Sequence, residues 1–309
     1  MKIRSVLPRD AIPSIDTPEF GSEYIGDADD EVIVVEADPP RAYPIRILSY
    51  HEIANDSIGG RPIAVTWCPI CGSGVVYDRT VDGRTLTFGM SGKLADDALV
   101  MYDRETGSEW KQPTGTAIAG ELRGKQLSTL PSPIIPWEQF KTEHPDGVVL
   151  RPVRGIDSQS NRSPRDIYDM KPYEQYVQKE NFGLYAMRGV GEPRSWDRTD
   201  LDAKTVVLGI EHAGEAMGYP IPRVDAEDGI VTDSVGGLDI VVFTSKGGIH
   251  AFTNPGFAFT RRDGVVHADG TTWDPVRGTS ADSRLLDRVP ARRMFAFAWQ
   301  DAHGASAFY

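Results

Sequence analysis

Between residues 63 and 77 the chain reads Ile63-Ala64-Val65-Thr66-Trp67-Cys68-Pro69-Ile70-Cys71-Gly72-Ser73-Gly74-Val75-Val76-Tyr77, and much of its architecture follows from this segment. Apolar, largely β-branched residues occupy both ends, and Cys-Pro-Ile-Cys-Gly lies between them. β-Branched and aromatic residues favour strands, whereas proline and glycine mark turns. The segment therefore predicts a hairpin whose tip carries Cys68 and Cys71, the only two cysteines of the chain.

Short segments of the same kind recur along the chain and are bounded by turn residues. Strands are predicted at 32–36, 63–67, 74–77, 85–88, 148–152, 206–210, 240–243, 249–252 and 294–299. Helices are predicted only at 49–55, 136–143 and 173–179. The expected fold class is mainly β, a β-rich α+β arrangement with few short helices.

The sequence also contains a degenerate internal repeat. Motifs of the first half return in the same order in the second: A-Y-P-I of 42–45 as G-Y-P-I of 218–221, N-D-S-I-G-G of 55–60 as T-D-S-V-G-G of 232–237, and T-G-S-E-W of 106–110 as D-G-T-T-W of 269–273. Ordered matches of this kind indicate duplication. We expect two tandem copies of one β-rich unit, at 1–152 and 204–309, joined by a polar connector at 153–203. The second copy has Ser245 and Gly248 where the first has its cysteines.

Composition narrows the class of protein. The 309 residues are 40% hydrophobic and 25% charged, with a formal net charge of -12. Nucleic-acid binding is not expected, because it depends on clustered Lys and Arg. No segment approaches the about 20 apolar residues that cross a bilayer, and the N-terminus lacks the apolar core of a signal peptide. We expect a cytoplasmic protein without membrane insertion, in which a structural disulfide is disfavoured.

Several motifs together resemble a known family. They are A-Y-P at 42–44, H-E-I-A-N-D at 51–56, V-T-W-C-P-I-C-G at 65–72, F-G-M-S-G at 88–92, L-V-M-Y-D-R at 99–104 and T-G-S-E-W at 106–110. This succession resembles the uncharacterised bacterial and archaeal family DUF3179, closely over 10–155 and more loosely to residue 309. The resemblance supports the boundaries and the choice of site, but it implies no reaction.

The cysteine pair suggests two kinds of chemistry. Trp-Cys-x-x-Cys also occurs in thioredoxin sites, where the start of a helix lowers the pKa of the first thiol. Here Gly72-Ser73-Gly74 leads into a strand, as in the metal-binding knuckles of rubredoxins and zinc ribbons. A metal site is therefore favoured over a thiol redox site, and one copper or zinc ion is the expected cofactor.

One knuckle supplies only two ligands, so others must join it. His51 is the leading candidate and would suit zinc, whereas Met90 and Met101 are thioethers that would favour Cu(I). His144 is a poorer candidate, because His-Pro at a helix end is ordinary turn chemistry. The sequence His51-Glu52-Ile53-Ala54-Asn55 begins like a zinc-protease motif but has asparagine at the second ligand position. The chain has no Gly-rich phosphate loop, so no nucleotide cofactor is expected.

A second cluster could line a pocket. Its candidate residues are Asp103, Arg104, Trp110 and Gln112, with the tryptophan as an apolar wall and the others as orienting groups. The favoured interpretation is structural, with Asp103 capping a turn and Trp110 in the core. The alternative function for the chain is a noncatalytic module that binds a small ligand or a protein in the cleft between the repeats.

Overall fold

In the computed structural model, which describes residues 1–153, 168–171 and 173–309, strands predominate, and the predicted mainly β class is confirmed. The strands of the first half are β1 (Ile3–Ser5), β2 (Phe20–Gly21), β3 (Glu31–Val35), β4 (Arg41–Pro44), β5 (Ile53–Ile58), β6 (Arg61–Cys68), β7 (Ser73–Asp78), β8 (Thr80–Val81), β9 (Arg84–Thr85), β10 (Phe88–Ala95), β11 (Ala98–Asp103), β12 (Glu109–Lys111), β13 (Thr116–Ala119), β14 (Thr129–Leu130), β15 (Ile134–Pro136) and β16 (Val148–Leu150). Those of the second half are β17 (Val206–His212), β18 (Glu215–Pro220), β19 (Ile230–Val235), β20 (Leu238–Ser245), β21 (Gly248–Thr253), β22 (Thr260–Arg262), β23 (Val265–Ala268), β24 (Thr271–Asp274), β25 (Thr279–Ser280) and β26 (Arg292–Phe295).

The helices of the described residues are short. They are α1 (Ile45–His51), α2 (Trp137–Glu143), α3 (Glu174–Gln178), α4 (Gly183–Arg188), α5 (Ile221–Ala226) and α6 (Ala296–His303). None of them is long and apolar enough to cross a membrane.

Strands from both halves share the largest sheet, whose order is β18-β17-β26-β7-β6-β5. The halves meet where Arg293 of β26 pairs with Gly74 of β7. Two meanders, β10 to β13 and β22 to β25, form separate sheets, and β1 extends the first of them. The hairpin that carries the cysteines, β6–β7, therefore lies inside a sheet to which both halves of the chain contribute strands.

The two halves contain the same succession of elements. A strand pair leads into a short helix and a three-stranded meander in each half, as β3, β4, α1 and β5 to β7, and as β17, β18, α5 and β19 to β21. The Tyr43 hydroxyl donates to Asp56 Oδ2 at 2.5 Å, and the Tyr219 hydroxyl donates to Asp233 Oδ2 at 2.8 Å. These parallels support the repeat, and the duplication itself stays a prediction.

Three local predictions were wrong. The strand expected at 85–88 is interrupted, because Leu86 and Thr87 lie between the end of β9 and the start of β10. The helix expected at 49–55 lies at 45–51, because Glu52 takes a left-handed conformation with φ 61° and the following residues pair with β6. The strand expected at 294–299 ends at Phe295 and is followed by α6. A short apolar run with alanines fits a buried strand or a buried helix equally well, and periodicity does not separate them.

The expected connector, 153–203, is only partly described, since 154–167 and residue 172 lie outside the described residues. Its remaining part carries α3 and α4. Tyr176, Phe182 and Leu184 are buried in the same hydrophobic cluster as the two cysteines. This part of the connector therefore belongs to the core around the hairpin tip.

Candidate functional site

The two cysteines lie at the tip of the β6–β7 hairpin, where the sequence places them. Cys68 pairs with Ser73, so Cys71 lies within the turn that joins the strands. Gly72 has φ 57°, and a Cβ there would lie 2.7 Å from Cζ of Phe295. The turn therefore needs glycine both for its backbone conformation and for the aromatic ring packed against it.

The two sulfurs are inside the protein, with Cys68 1% and Cys71 0% exposed. The amide of Leu99 donates to Cys68 Sγ at 3.4 Å, and the amides of Ile70 and Cys71 also act to lower the pKa of this thiol. Burial acts to raise the pKa of Cys68, but hydrogen bonds from the Cys71 thiol and these amides lower it overall. Burial and the hydrogen bond to Cys68 raise the pKa of Cys71. Cys68 is therefore the thiol that ionises first.

His51 already has partners for both ring nitrogens. Nδ1 lies 2.7 Å from the carbonyl oxygen of Pro13, and Nε2 contacts the hydroxyl of Tyr168. Burial lowers the pKa of His51 to about 4, so the ring is neutral at pH 7. A metal could bind His51 only if one of these hydrogen bonds broke.

Met90 and Met101 face each other across β10 and β11 and belong to the same buried cluster as the cysteines. Met90 Sδ accepts the amide of Gly92 at 2.8 Å. Among the described residues, the only group of three or more His, Cys, Asp or Glu with ligand atoms within 4.8 Å of one another is Asp27, Asp29 and Asp30. The thioethers are thus the candidate ligands that share the core with the thiols.

Glu52 is a feature of this region that the sequence reasoning missed. The side chain of Glu52 is buried, and its backbone adopts the left-handed conformation. Its Oε2 has no hydrogen-bond partner among the described residues. Burial, with a further contribution from Cys68, raises the pKa of Glu52 to about 8, against a smaller opposing effect of Arg188. It lines a small cavity of about 40 Å³ together with Met90 and Tyr173. The only sequence signal was its position beside His51, which gives no indication of burial.

The four pocket candidates, Asp103, Arg104, Trp110 and Gln112, form hydrogen bonds or ion pairs with other side chains of the protein. Trp110 is fully buried and donates its indole N–H to Asp103 Oδ2 at 2.9 Å. Arg104 forms an ion pair with Asp16 at 2.5 Å. Gln112 donates to Thr66 Oγ1 at 2.8 Å. Each of these side chains has a structural role in the described part of the chain.

A larger cleft of about 310 Å³ lies between the two halves. Its walls combine apolar side chains with charged ones, and they include Val34, Ile135, Glu143 and His144 from the first half and Val276, Leu286 and Arg288 from the second. His144 therefore lies in the cleft, where Nε2 is 3.7 Å from Glu36 Oε1.

These features define a mainly β protein with a buried dithiol at a hairpin tip and a cleft between its two halves. The sequence model of the family described as "Protein of unknown function (DUF3179)" matches residues 9–306. The chain belongs to this family, as the resemblance indicated. No curated protein and no solved structure matches it.

Proposed function

We propose that this chain is a metal-binding protein in which Cys68 and Cys71 hold one soft metal ion, with Cu(I) preferred. The observation that carries the proposal is the Leu99 amide, which donates to Cys68 Sγ at 3.4 Å in the buried turn that also holds Cys71. Amide N–H groups stabilise a thiolate, and this kind of outer hydrogen bonding orients and tunes metal ligands. A thiolate is also the form in which cysteine binds metals.

The surrounding donors favour copper over zinc. Zinc in structural sites takes four ligands, usually thiolates and imidazoles. His51 has both ring nitrogens occupied, and the described residues add no carboxylate or imidazole group to the thiol pair. Cu(I) accepts low coordination and prefers sulfur, so two thiolates supplemented by Met90 or Met101 suit it.

The test is an anaerobic titration with Cu(I) supplied by a competing chromophoric chelator. Wild-type protein should take one equivalent and develop thiolate-to-copper absorption in the near ultraviolet. Cys68→Ser combined with Cys71→Ser should take none, because a serine hydroxyl is neutral near pH 7 and is a harder ligand. Met90→Leu should weaken binding, whereas the matched control Met217→Leu, in the second half, should not.

The double variant is expected to fold. The corresponding hairpin of the second half forms without sulfur, although its turn between the paired Ser245 and Gly248 is shorter than the turn between Cys68 and Ser73. Circular dichroism would check this point. Equal copper content in the wild type and the double variant would refute the metal site.

A second candidate function is reversible dithiol oxidation. It is favoured by the opposite pKa directions of Cys68 and Cys71, since one thiol ionises while its neighbour keeps the proton. Oxidation by a small disulfide would form the Cys68–Cys71 bond and release two thiols from the oxidant. Mass spectrometry after equilibration with oxidised and reduced glutathione would detect this disulfide in metal-free protein.

A further inference from the structure

The cleft between the halves has the dimensions of a small-ligand site. Its volume of about 310 Å³ is at the lower end of the range for small-molecule sites, about 300–1,000 Å³. Val34 and Ile135 from the first half, and Val276 and Leu286 from the second, supply its apolar lining. The cleft thus combines apolar walls with the charged groups described next.

Arg288 brings a positive charge into the cleft, and among the described residues no carboxylate lies within ion-pair distance of it. Its Nη2 donates to the carbonyl of Val276 at 2.5 Å, and Nη1 lies 3.3 Å from His250 Nδ1. His250 Nε2 donates to the carbonyl of Gly247 at 3.1 Å, so Nδ1 is the acceptor and the ring is neutral. Glu36, Glu143 and Asp274 act on the charge of Arg288 only from beyond hydrogen-bonding distance.

Two other arginines of the interior are paired with carboxylates. Arg292 lies 2.5 Å from Glu211, and Arg46 lies 3.1 Å from Asp30. Burial lowers the pKa of Arg288 to about 10, against a smaller opposing effect of Glu36, Glu143 and Asp274. A buried charge is costly unless it is paired, and an arginine fork binds a carboxylate through two parallel hydrogen bonds.

Carboxylates occupy other parts of the same cleft. Glu143, from α2, accepts a hydrogen bond from Gln139 at 2.7 Å, and Glu36 lies near His144. Both line the cleft, as does Asp287. A simple anion would be repelled by this group, whereas a ligand that carries both charges would match both parts of the cleft.

We infer that this cleft binds a small zwitterion with an apolar side chain, such as an apolar α-amino acid. Its carboxylate would pair with Arg288, its ammonium group with Glu143 or Glu36, and its side chain would contact Val34 and Leu286. This site is separate from the proposed metal site and does not depend on it.

Isothermal titration calorimetry with L-leucine, N-acetyl-L-leucine and L-leucinamide tests the inference. L-Leucine should bind saturably, and each analogue, which lacks one of the two charges, should bind at least about tenfold more weakly, since it loses the charge-assisted hydrogen bonds of that group. The analogues test charge matching on the wild-type protein, so this arm does not depend on any variant folding.

Substitution of Arg288 tests whether its charge contributes to leucine binding. Arg288→Gln should weaken leucine binding at least about tenfold, and Arg288→Lys should retain part of it. Arg84→Gln removes the same charge at an exposed position paired with Glu121, so binding should be unchanged. The inference is overturned if leucine shows no saturable binding, if either analogue binds as tightly as leucine, or if folded Arg288→Gln binds like the wild type.

Discussion

Replacing Glu52 by glutamine should remove a large pH dependence of stability. The pKa of the buried Glu52 is raised from 4.5 to about 8. In the unfolded chain the carboxyl ionises near the lower value. Between these two values the folded state therefore binds one more proton than the unfolded state. The free energy of unfolding must then fall as the pH rises through this window, and the fall ends above the folded pKa.

The size of the effect follows from the two pKa values of Glu52, 4.5 unfolded and about 8 folded. At about 1.4 kcal/mol for each pKa unit, the carboxyl should cost the folded protein about 5 kcal/mol at pH 9 relative to pH 4.5. This is comparable with the whole stability of many domains, about 5–15 kcal/mol. Glu52→Gln keeps the size and shape of the side chain and one of its two oxygens but cannot ionise.

Urea denaturation of metal-free protein across this pH range measures the effect. The difference in unfolding free energy between Glu52→Gln and the wild type should grow with pH and become constant above about pH 8. Subtracting the two curves removes the titration of all other groups that the substitution leaves unchanged. Glu121→Gln, at an exposed side chain paired with Arg84, is the matched control and should track the wild type. Parallel curves for Glu52→Gln and the wild type would refute the reasoning.

Asp103→Ala should lower the free energy of unfolding by about 3 kcal/mol, because the buried Trp110 indole and the Thr106 amide lose their acceptor. A loss below about 1 kcal/mol in urea denaturation would contradict this structural role. His250 should make the free energy of unfolding depend on pH in the acid range, since burial, with the charge of Arg288, lowers its pKa from 6.5 to about 3. Its contribution is fully present above pH 6.5 and should be lost as the pH falls towards 3, by up to about 5 kcal/mol, and His250→Gln should lack this slope. An equally steep acid slope in that variant would show that other groups cause it.

The hairpin tip could be predicted because its signals are local. β-Branched runs on both sides of Cys68 and Cys71, and glycine after the second cysteine, specify strands and a turn within a few residues of each other. The metal, the ligand set and the repeat boundaries stay predictions.

The remaining features depend on contacts between distant residues. The pairing of Arg293 with Gly74 joins two strands that are far apart in the sequence, and no local pattern predicts which residues of the two strands pair. The burial of Glu52 and the unpaired charge of Arg288 likewise depend on which elements pack around them. Local sequence therefore indicated where the thiols lie but not which charged groups the fold leaves without partners.

The connector encloses the thiols, and this determines how fast they can react. The Tyr176 hydroxyl donates to the carbonyl of Ile70 at 2.8 Å and accepts the amide of Gly183 at 3.1 Å, so the connector is bonded to the cysteine turn. A reagent can reach the sulfurs only in molecules where this packing has opened. When opening and closing are fast, the rate of thiol labelling is the intrinsic rate multiplied by the open fraction. The rate at which the two cysteines are labelled therefore reports the free energy of local opening. For a bound metal ion, the opening of the connector would limit the exchange rate when it is slower than the breaking of the metal–sulfur bonds.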